Sequence, residues 1–543
     1  MNIEQHRWEP AQPLTKAYLA DFATVAPLYE HDPWDDASET DRVRWLDSPE
    51  RPQADRNKLA DVLEAYNRAI GNAPAALAAI ESLRHPRTLA VVGGQQAGLL
   101  TGPLLSVYKA ITIIQEARRA AERLQRPVAP VFWIAGEDHD FEEVNHIHFL
   151  SDQLAVCKIK CPAVSPGRVP ISRLPIPPEA WEDVLTRLDR SLADSEFKAA
   201  LLRRIGELCR SSATLTEQFA KMMASLFGEF GLVLVDSADP ALRRLETEPF
   251  RAIIASQRGL NDDHLTAKAR IETMGFAPQA EVYEDQANLF VCHNGERLLL
   301  HRAGDRFTDR KQTVSFTESE LLALAETAPE RLSNNVMTRP LMQEYLFPVL
   351  AAVLGPAEIA YWGLLKSSFR RLGMRMPILV PRLEFTLVEG TLQKLMNRYG
   401  LTFEDAVFRF DEKKKQWLDA QGSLALAERF ADVKAKFADL YGPLVEAVAT
   451  INPGMRKLGE TNMQKIFEQI SFLETRAADA FQSQFDSALR HWERIRLSLL
   501  PLGKPQERVY NVFMYLNKYG DGWLKRLTDT PLERNGMHRI VYF

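Results

Sequence analysis

Two short runs of branched apolar residues, 89–92 and 128–135, flank a segment in which apolar positions recur at Leu104, Val107, Tyr108, Ile111 and Ile114. The runs have the length and composition of strands buried on both faces, and the three-and-four spacing between them is that of one helical face. Gly102 and Pro103 suit a cap and a first helical residue, while Arg118, Arg119 and Arg123 fall late in the helix, where the macrodipole favours cations. Residues 125–127 end it. The pattern predicts a βαβ crossover with two parallel strands, whose carboxyl ends emerge on the side where open α/β sheets place ligands.

Residues 231–236 and 378–381 read as two further buried strands, ending at Asp236 and just before Arg382. Asn294 and Gly295, between LFVCH and ERLLLHR, predict a type I′ hairpin and a small antiparallel excursion that interrupts the parallel sheet around 281–308. Residues up to about 79, and again 181–227, read as mainly helical, and the proline-rich stretch 161–178 as an irregular crossing of the sheet edge. The longest apolar region, 347–365, is interrupted by Pro348, Gly355, Pro356 and Glu358, and reads as a buried helix-turn-helix rather than a membrane span.

From about Glu389 the chain is glycine-poor and helical, punctuated at Gly442 and Pro443. Met463, Ile466, Ile470, Leu473, Ala477, Phe481, Phe485, Leu489, Trp492, Ile495 and Leu499 form one coiled-coil-like seam, and Phe430, Val433, Phe437, Leu440 and Leu444 form its partner. A turn at Asn452, Pro453 and Gly454 makes the pair an antiparallel hairpin. The expected division is an α/β core with insertions at 1–388, a helical coiled-coil domain at 389–500 and a C-terminal segment at 501–543 that returns to the core.

The 543 residues leave room for more than one domain, and 46% hydrophobic residues can bury substantial cores. A net charge of −5 with dispersed basic residues gives no nucleic-acid footprint and no membrane patch. Four cysteines, and an amino terminus without an apolar signal core, point to a reducing, cytoplasmic setting. Cys157 and Cys161 have no second cysteine pair nearby and read as strand residues rather than zinc ligands.

Candidate chemistry concentrates at the two predicted strand ends. Gln95, Gln96, Gly98, Thr101 and Gly102 follow the first, where closely spaced glycines and a helix N-terminus suit an anion. The turn lacks the lysine of a Walker loop and the spacing of the dinucleotide fingerprint. Glu137, Asp138, His139 and Asp140 follow the second strand, with Asn145 and His146 beyond; such a cluster can hold an ammonium, sugar hydroxyls or a hard metal, and His139 can move a proton near neutral pH. The plainer alternatives are a tight turn and a helix cap formed by Asp140 with Glu143. Asn334, Asn335, Arg339, Glu344, Tyr361 and Lys366 form a further polar group, with Arg339 and Lys366 as the expected carboxylate or phosphate partners and Arg382 at the end of a strand. A helix junction held by caps at Ser333 and Thr338 is the structural alternative.

GQQAGLLTGP followed by PVFWIAGEDHDFEEVNH resembles the cysteine-adding enzymes of bacillithiol biosynthesis. Further similarity lies in LSNNVMTRPLMQEYLFPVLAAVLGPAEIAYWGLLK, MPILVPRLEFTLVE, KPQERVYNVFMYLNKYG and LTKAYLADF, and in HDPWD, where His31 replaces a commoner Asn. The resemblance covers essentially the whole chain. It implies a Rossmann-like core related to class I nucleotidyl transferases, an appended coiled-coil domain and a homodimer. It also implies amide formation between L-cysteine and the amino group of glucosaminyl malate, the last step in making bacillithiol. Joining a free carboxylate to an amine needs an activated acyl group, so ATP or another nucleotide is expected, with Mg2+ beside it; acyl adenylate and acyl phosphate both remain open. On that basis Gln95, Gln96, Gly98, Thr101 and Gly102 hold an anionic group, Glu137, Asp138 and Asp140 hold the amine or sugar hydroxyls, and His139 or His146 manages a proton.

Two rivals compete with this reading. A metal-dependent hydrolase would use Asp138, His139, Asp140, His146 and His148, although their short-range spacing is loose for a tightly held transition metal, which is not expected. A helical interaction protein would use the coiled coil as its working part.

Overall fold

Five short strands made almost wholly of buried apolar residues pair in parallel, in the order Ile378–Pro381, Val349–Leu354, Leu89–Gln95, Val128–Ile134, Val233–Asp236. The computed structural model describes residues 2–162, 167–421 and 424–543, with the side chains of 424, 425, 481, 482 and 484 outside the described set. Residues 163–166 of the expected sheet-edge crossing therefore lie outside the described residues. Counted along the chain, the strand order is 5-4-1-2-3, so the direction of winding reverses between the first strand and the fourth. That junction is the topological switch point of a Rossmann-like sheet, where the crevice between diverging loops opens.

The apolar runs are strands because both faces are covered. Leu59, Leu63 and Ile80, from helices Arg56–Ala69 and Pro74–Ser82, pack with Val92, Val131, Trp133 and Val233. The helix Leu104–Leu124 packs against the first two strands. Gly93 allows its close approach, since a β-carbon there would meet Ile113 Cδ1 at 2.7 Å. Three local expectations are corrected. The first strand runs on through Gly93, Gly94 and Gln95, so the turn begins later than the glycines suggest. Pro103 is the N-cap rather than the first helical residue. Within 347–365, Val349–Leu354 is a central strand followed by the helix Pro356–Trp362, not a helix-turn-helix; a fully buried six-residue run carries no periodicity to tell the two apart.

The predicted hairpin forms, with Asn294 at φ +49° and Gly295 at φ +84° between Gln286–His293 and Glu296–Ala303. It does not interrupt the parallel sheet but belongs to a separate antiparallel one, completed by Ser315–Thr317, Arg306–Thr308 and Leu332–Asn334.

The chain divides into two compact units, residues 1–152, 156–386 and 506–541 in the first, and 153–155, 387–505 and 542–543 in the second. In the second, helices Leu424–Ile451 and Met455–Gln484 form the antiparallel hairpin, with Phe437 and Phe467 in edge contact at 5.5 Å. Pro443 sits inside its helix instead of breaking it. The later seam is split, since a new helix, Asp486–Leu499, starts after Phe485 and buries Trp492 against Tyr399, Phe410 and Trp417. The side chain of Phe481 lies outside the described residues. Val433, Leu440, Leu444 and Leu473, expected in the inward seams, are exposed. No described helix is long and apolar enough to cross a membrane.

Candidate active site

A cavity of about 310 Å³ opens at the switch point. Gly94, Gln95 and Gln96 from the end of the first strand form one wall, Ala135 and Asp138 after the second strand another, and Gly355, Pro356, Glu358 and Tyr361 after the fourth a third. Leu105 and Lys109 of the first crossover helix, Val336, Arg339, Arg382 and Arg508 complete it. A larger cavity of about 960 Å³ lies in the helical unit, walled by Leu418, Phe430, Phe485 and Leu489 with charged residues among them. Cations, carboxylates and strand ends converge at the smaller one, which makes it the candidate site.

Lys109 is the residue that periodicity hid. It is 1% exposed, and its Nζ donates to the carbonyl of Gly94 at 2.6 Å and to Glu358 Oε2 at 2.5 Å. Glu358 also accepts the N–H of Gly355 at 2.8 Å, reaching back from the third position to the start of the helix that follows the fourth strand. Arg339 Nη2 lies 3.5 Å from Glu358 Oε1 and donates to the Tyr361 hydroxyl at 2.5 Å. Burial pushes the Glu358 carboxyl up, but Lys109 and Arg339 outweigh it and hold it below its ordinary value. Burial lowers the Lys109 ammonium, against the opposing pull of Glu358. A lysine two turns into a helix buried on nearly every side was the available signal, and so was the Gly-Pro-x-Glu pattern around Glu358.

The acidic loop separates by role. Asp138 lines the cavity and accepts from Gln96 Nε2 at 2.8 Å and from the N–H of His139 at 2.8 Å. Glu137 is buried beneath it, paired with Arg243 and accepting the N–H of Asn334 at 3.1 Å, while Arg243 also binds Glu246 at 2.5 Å. Its carboxylate is committed to the fold, which removes it from the candidate catalytic group. His139 Nδ1 lies 3.2 Å from Arg297 Nη1. An arginine can only donate, so Nδ1 accepts, the ring proton sits on Nε2, and Nε2 faces Asp140 at 3.8 Å. Burial and then Arg297 lower the imidazole, against Asp140 and Asp138. Asp138, His139 and Asp140 can bring one ligand atom each within 4.8 Å of one another. Arg297, 3.5 Å from Asp138 Oδ1 and touching His139, opposes a cation there, and His146 and His148 stand outside the group among the described residues.

Three amides of the Gln95 to Gly102 turn are engaged within the protein, those of Gly98 and Gly102 by the carbonyls of Gln96 and Leu99 at 3.0 and 2.7 Å. Leu100 N–H donates to Gln218 at 3.0 Å, and the N–H of Leu104 at the helix start donates to the carbonyl of Tyr510 at 2.8 Å. Asn511 donates to the carbonyls of Leu100 and Gly102, each at 2.6 Å. The turn is thus the docking point of the C-terminal return. Thr101 is fully buried, and Gly98 and Gly102 pack on each other, so of the five residues expected to hold an anion only Gln95 and Gln96 reach the cavity.

Other expected ligands are engaged elsewhere. Lys366 Nζ donates to the carbonyls of Pro27, at 3.3 Å, and Tyr29, fastening the amino-terminal segment. Asn335 caps the next turn, accepting from Met337 and Thr338 N–H at 2.9 and 3.1 Å, whereas the structural alternative places the caps at Ser333 and Thr338. Glu344 is buried against Arg42, and Asn145 and His146 bond each other at 3.2 Å away from the cavity. Asn334 is buried with neither side-chain polar atom partnered. Arg382 lines the cavity, but its guanidinium is held by Glu507 at 2.9 and 2.5 Å. Arg339 and Tyr361 both line the cavity.

Comparison with known proteins adds the following. Residues 1–383 match the family described as "Bacillithiol biosynthesis BshC, N-terminal Rossmann-like domain", and residues 385–543 match "Bacillithiol biosynthesis BshC, C-terminal coiled-coil domain". A protein of Geobacillus kaustophilus named "Putative cysteine ligase BshC" is 40% identical over 491 residues, 90% of each chain. Proteins of the same name from Symbiobacterium thermophilum and Bacillus licheniformis are 37% and 33% identical, over 97% and 100% of each chain.

Proposed function

Since the chain belongs to the bacillithiol biosynthesis BshC family, we propose that it performs the last step of that pathway, joining the carboxylate of L-cysteine to the amino group of glucosaminyl malate. The observation that carries this reading is the pairing of a cationic wall with a carboxylate wall across the switch-point cavity. Arg339, backed by Lys109 and Glu358, faces Asp138, held by Gln96. The malyl group is an anion and the glucosamine nitrogen is a cation until it loses a proton, so one substrate carries a complement to each wall.

The cationic wall suits phosphate oxygens as well as carboxylates, and Arg339 and Arg508 are the residues that would hold them. ATP, when bound with Mg2+, supplies the phosphoryl or adenylyl group that makes the cysteine carboxylate an acyl donor. The chain's own task is to place the amine and take its proton. Asp138 is the acceptor we assign, because it reaches the cavity while His139 Nδ1 is engaged by Arg297. We also propose a homodimer formed through the helical hairpin, supported by its exposed Leu440, Leu458, Phe472 and Leu473.

The deciding experiment incubates the protein with cysteine, glucosaminyl malate and ATP and follows bacillithiol, AMP and ADP by mass spectrometry. Bacillithiol with AMP indicates adenylation, and bacillithiol with ADP indicates an acyl phosphate. No bacillithiol under any nucleotide condition would overturn the assignment.

A further inference from the structure

We infer that Lys109 is a positioning residue whose task is to occupy Glu358 so that Arg339 keeps its charge for an anionic group of the substrate. The inference rests on the amide-forming reading above, which puts the malyl carboxylates at this wall.

One carboxylate stands between two cations, and the distances are unequal. Lys109 Nζ is 2.5 Å from Glu358 Oε2, which also takes the Gly355 N–H at 2.8 Å, whereas Arg339 Nη2 is 3.5 Å from Oε1, at the outer limit of a hydrogen bond. The shorter pair is the stronger one, so the negative charge of Glu358 is spent mainly on Lys109. Arg339 instead donates to a neutral partner, the Tyr361 hydroxyl. Both Arg339 and Glu358 line the cavity, so the balance between them is felt where a ligand sits.

The fold explains how a lysine comes to be there. Gly93 lets the crossover helix lie against the first strand at Ile113, and one turn earlier Lys109 reaches the Gly94 carbonyl at 2.6 Å. Its ammonium thereby spans the first strand and the helix after the fourth, the two elements that diverge at the switch point. Without that ammonium, Glu358 has one cation left to pair with, and a carboxylate and a guanidinium this close can close into a two-pronged pair. Arg339 would then be neutralised within the protein.

The test titrates glucosaminyl malate calorimetrically into the full-length wild type, Lys109→Met and the double variant Lys109→Met/Glu358→Gln, with thermal melts of each. Lys109→Met should bind about 10- to 100-fold more weakly, the loss expected when a charge-assisted contact to the ligand is weakened. The double variant should recover to within about threefold of wild type, because Arg339 is released again. A folded double variant as weak as Lys109→Met overturns the inference and makes Lys109 a direct ligand or a packing residue. So does wild-type affinity in Lys109→Met. Should Lys109→Met fail to fold, the double variant alone decides: near-wild-type binding supports the inference and weak binding overturns it. A wild type that does not bind glucosaminyl malate overturns both this inference and the reading beneath it. In turnover, the single variant should raise KM for glucosaminyl malate and leave KM for cysteine unchanged.

Discussion

A β-carbon placed on Gly98 would lie 2.7 Å from the α-carbon of Gly102 and 3.0 Å from its nitrogen. Both obstacles are backbone, and Gly102, at φ +66°, is itself held by Asn511. Gly98→Ala should therefore lower the thermal midpoint, at a cost of about 1–3 kcal/mol for overpacking, with Gly98→Val worse. A glycine-rich turn that cradles a ligand predicts the opposite. An unshifted melt with ligand binding abolished would return these glycines to the site.

The same contact marks what could be read from residues alone. Runs of apolar sequence located four of the five core strands, because burial on both faces leaves an unbroken signature. Val349–Leu354 escaped since its signature is identical to that of a buried helix and Pro348 and Gly355 flank either. That a cavity opens at the strand ends was legible from the crossover. Which side chains line it was not. Whether Glu137 faces substrate or Arg243, and whether the turn's amides are free or taken by residues more than 100 positions away, depends on long-range partners that no local pattern encodes. Lys109 was invisible for the complementary reason, since an apolar-face template skips charged positions.

Glu137 provides a direct check on that division. Its side chain is 6% exposed and its partner Arg243 is 2% exposed, so Glu137→Gln leaves a buried guanidinium with Glu246 as its remaining carboxylate. Breaking one arm of such a cluster costs about 3–5 kcal/mol. The urea midpoint should fall accordingly. A midpoint within error of wild type, coupled to lost turnover, would instead place Glu137 in the chemistry.

Asp236, at the end of the third strand, makes stability depend on pH. Burial pushes its carboxyl up from 3.8 to about 7, only partly offset by the N–H of Ala238. Over that window the folded chain holds the proton that the unfolded chain releases, so this group lowers folding stability as pH rises and has no further effect above about 7. Asp236→Asn cannot ionise. At about 1.4 kcal/mol per pH unit, the variant should gain on wild type by about 4 kcal/mol between pH 4 and pH 8, read from urea melts. An equal pH response in the two proteins would show that Asp236 is ionised in the fold at low pH.

The helical hairpin carries an outward apolar row in addition to its internal contact. Phe472 and Leu473 are 57% and 60% exposed, whereas Ile470 is half-buried. Replacing Phe472 and Leu473 by Asp should convert a dimer into monomers in sedimentation while leaving helicity unchanged, since no buried side chain is lost. Wild-type protein that already sediments as a monomer, or a double variant that remains a dimer, would remove this face as the contact.

The two loop residues nearest the cavity should behave differently in turnover. An amine must lose a proton to attack an acyl carbon, and Asp138 reaches the cavity with a carboxylate oriented by Gln96 and the His139 N–H. Asp138→Asn keeps that shape but cannot accept the proton, so kcat for bacillithiol formation should fall by about 10²- to 10⁴-fold with little change in melting temperature. His139 accepts from Arg297 at Nδ1 and carries its proton on Nε2 towards Asp140, so it has no free lone pair to offer the amine. His139→Gln retains an acceptor for Arg297 and should cost far less, within about tenfold, acting through the position of Arg297 and Asp138. Wild-type kcat in Asp138→Asn would remove this carboxylate as the base. The reverse ranking, with His139→Gln the more damaging variant in a folded protein, would mean that Arg297 swings away when substrate binds and that the imidazole takes the proton.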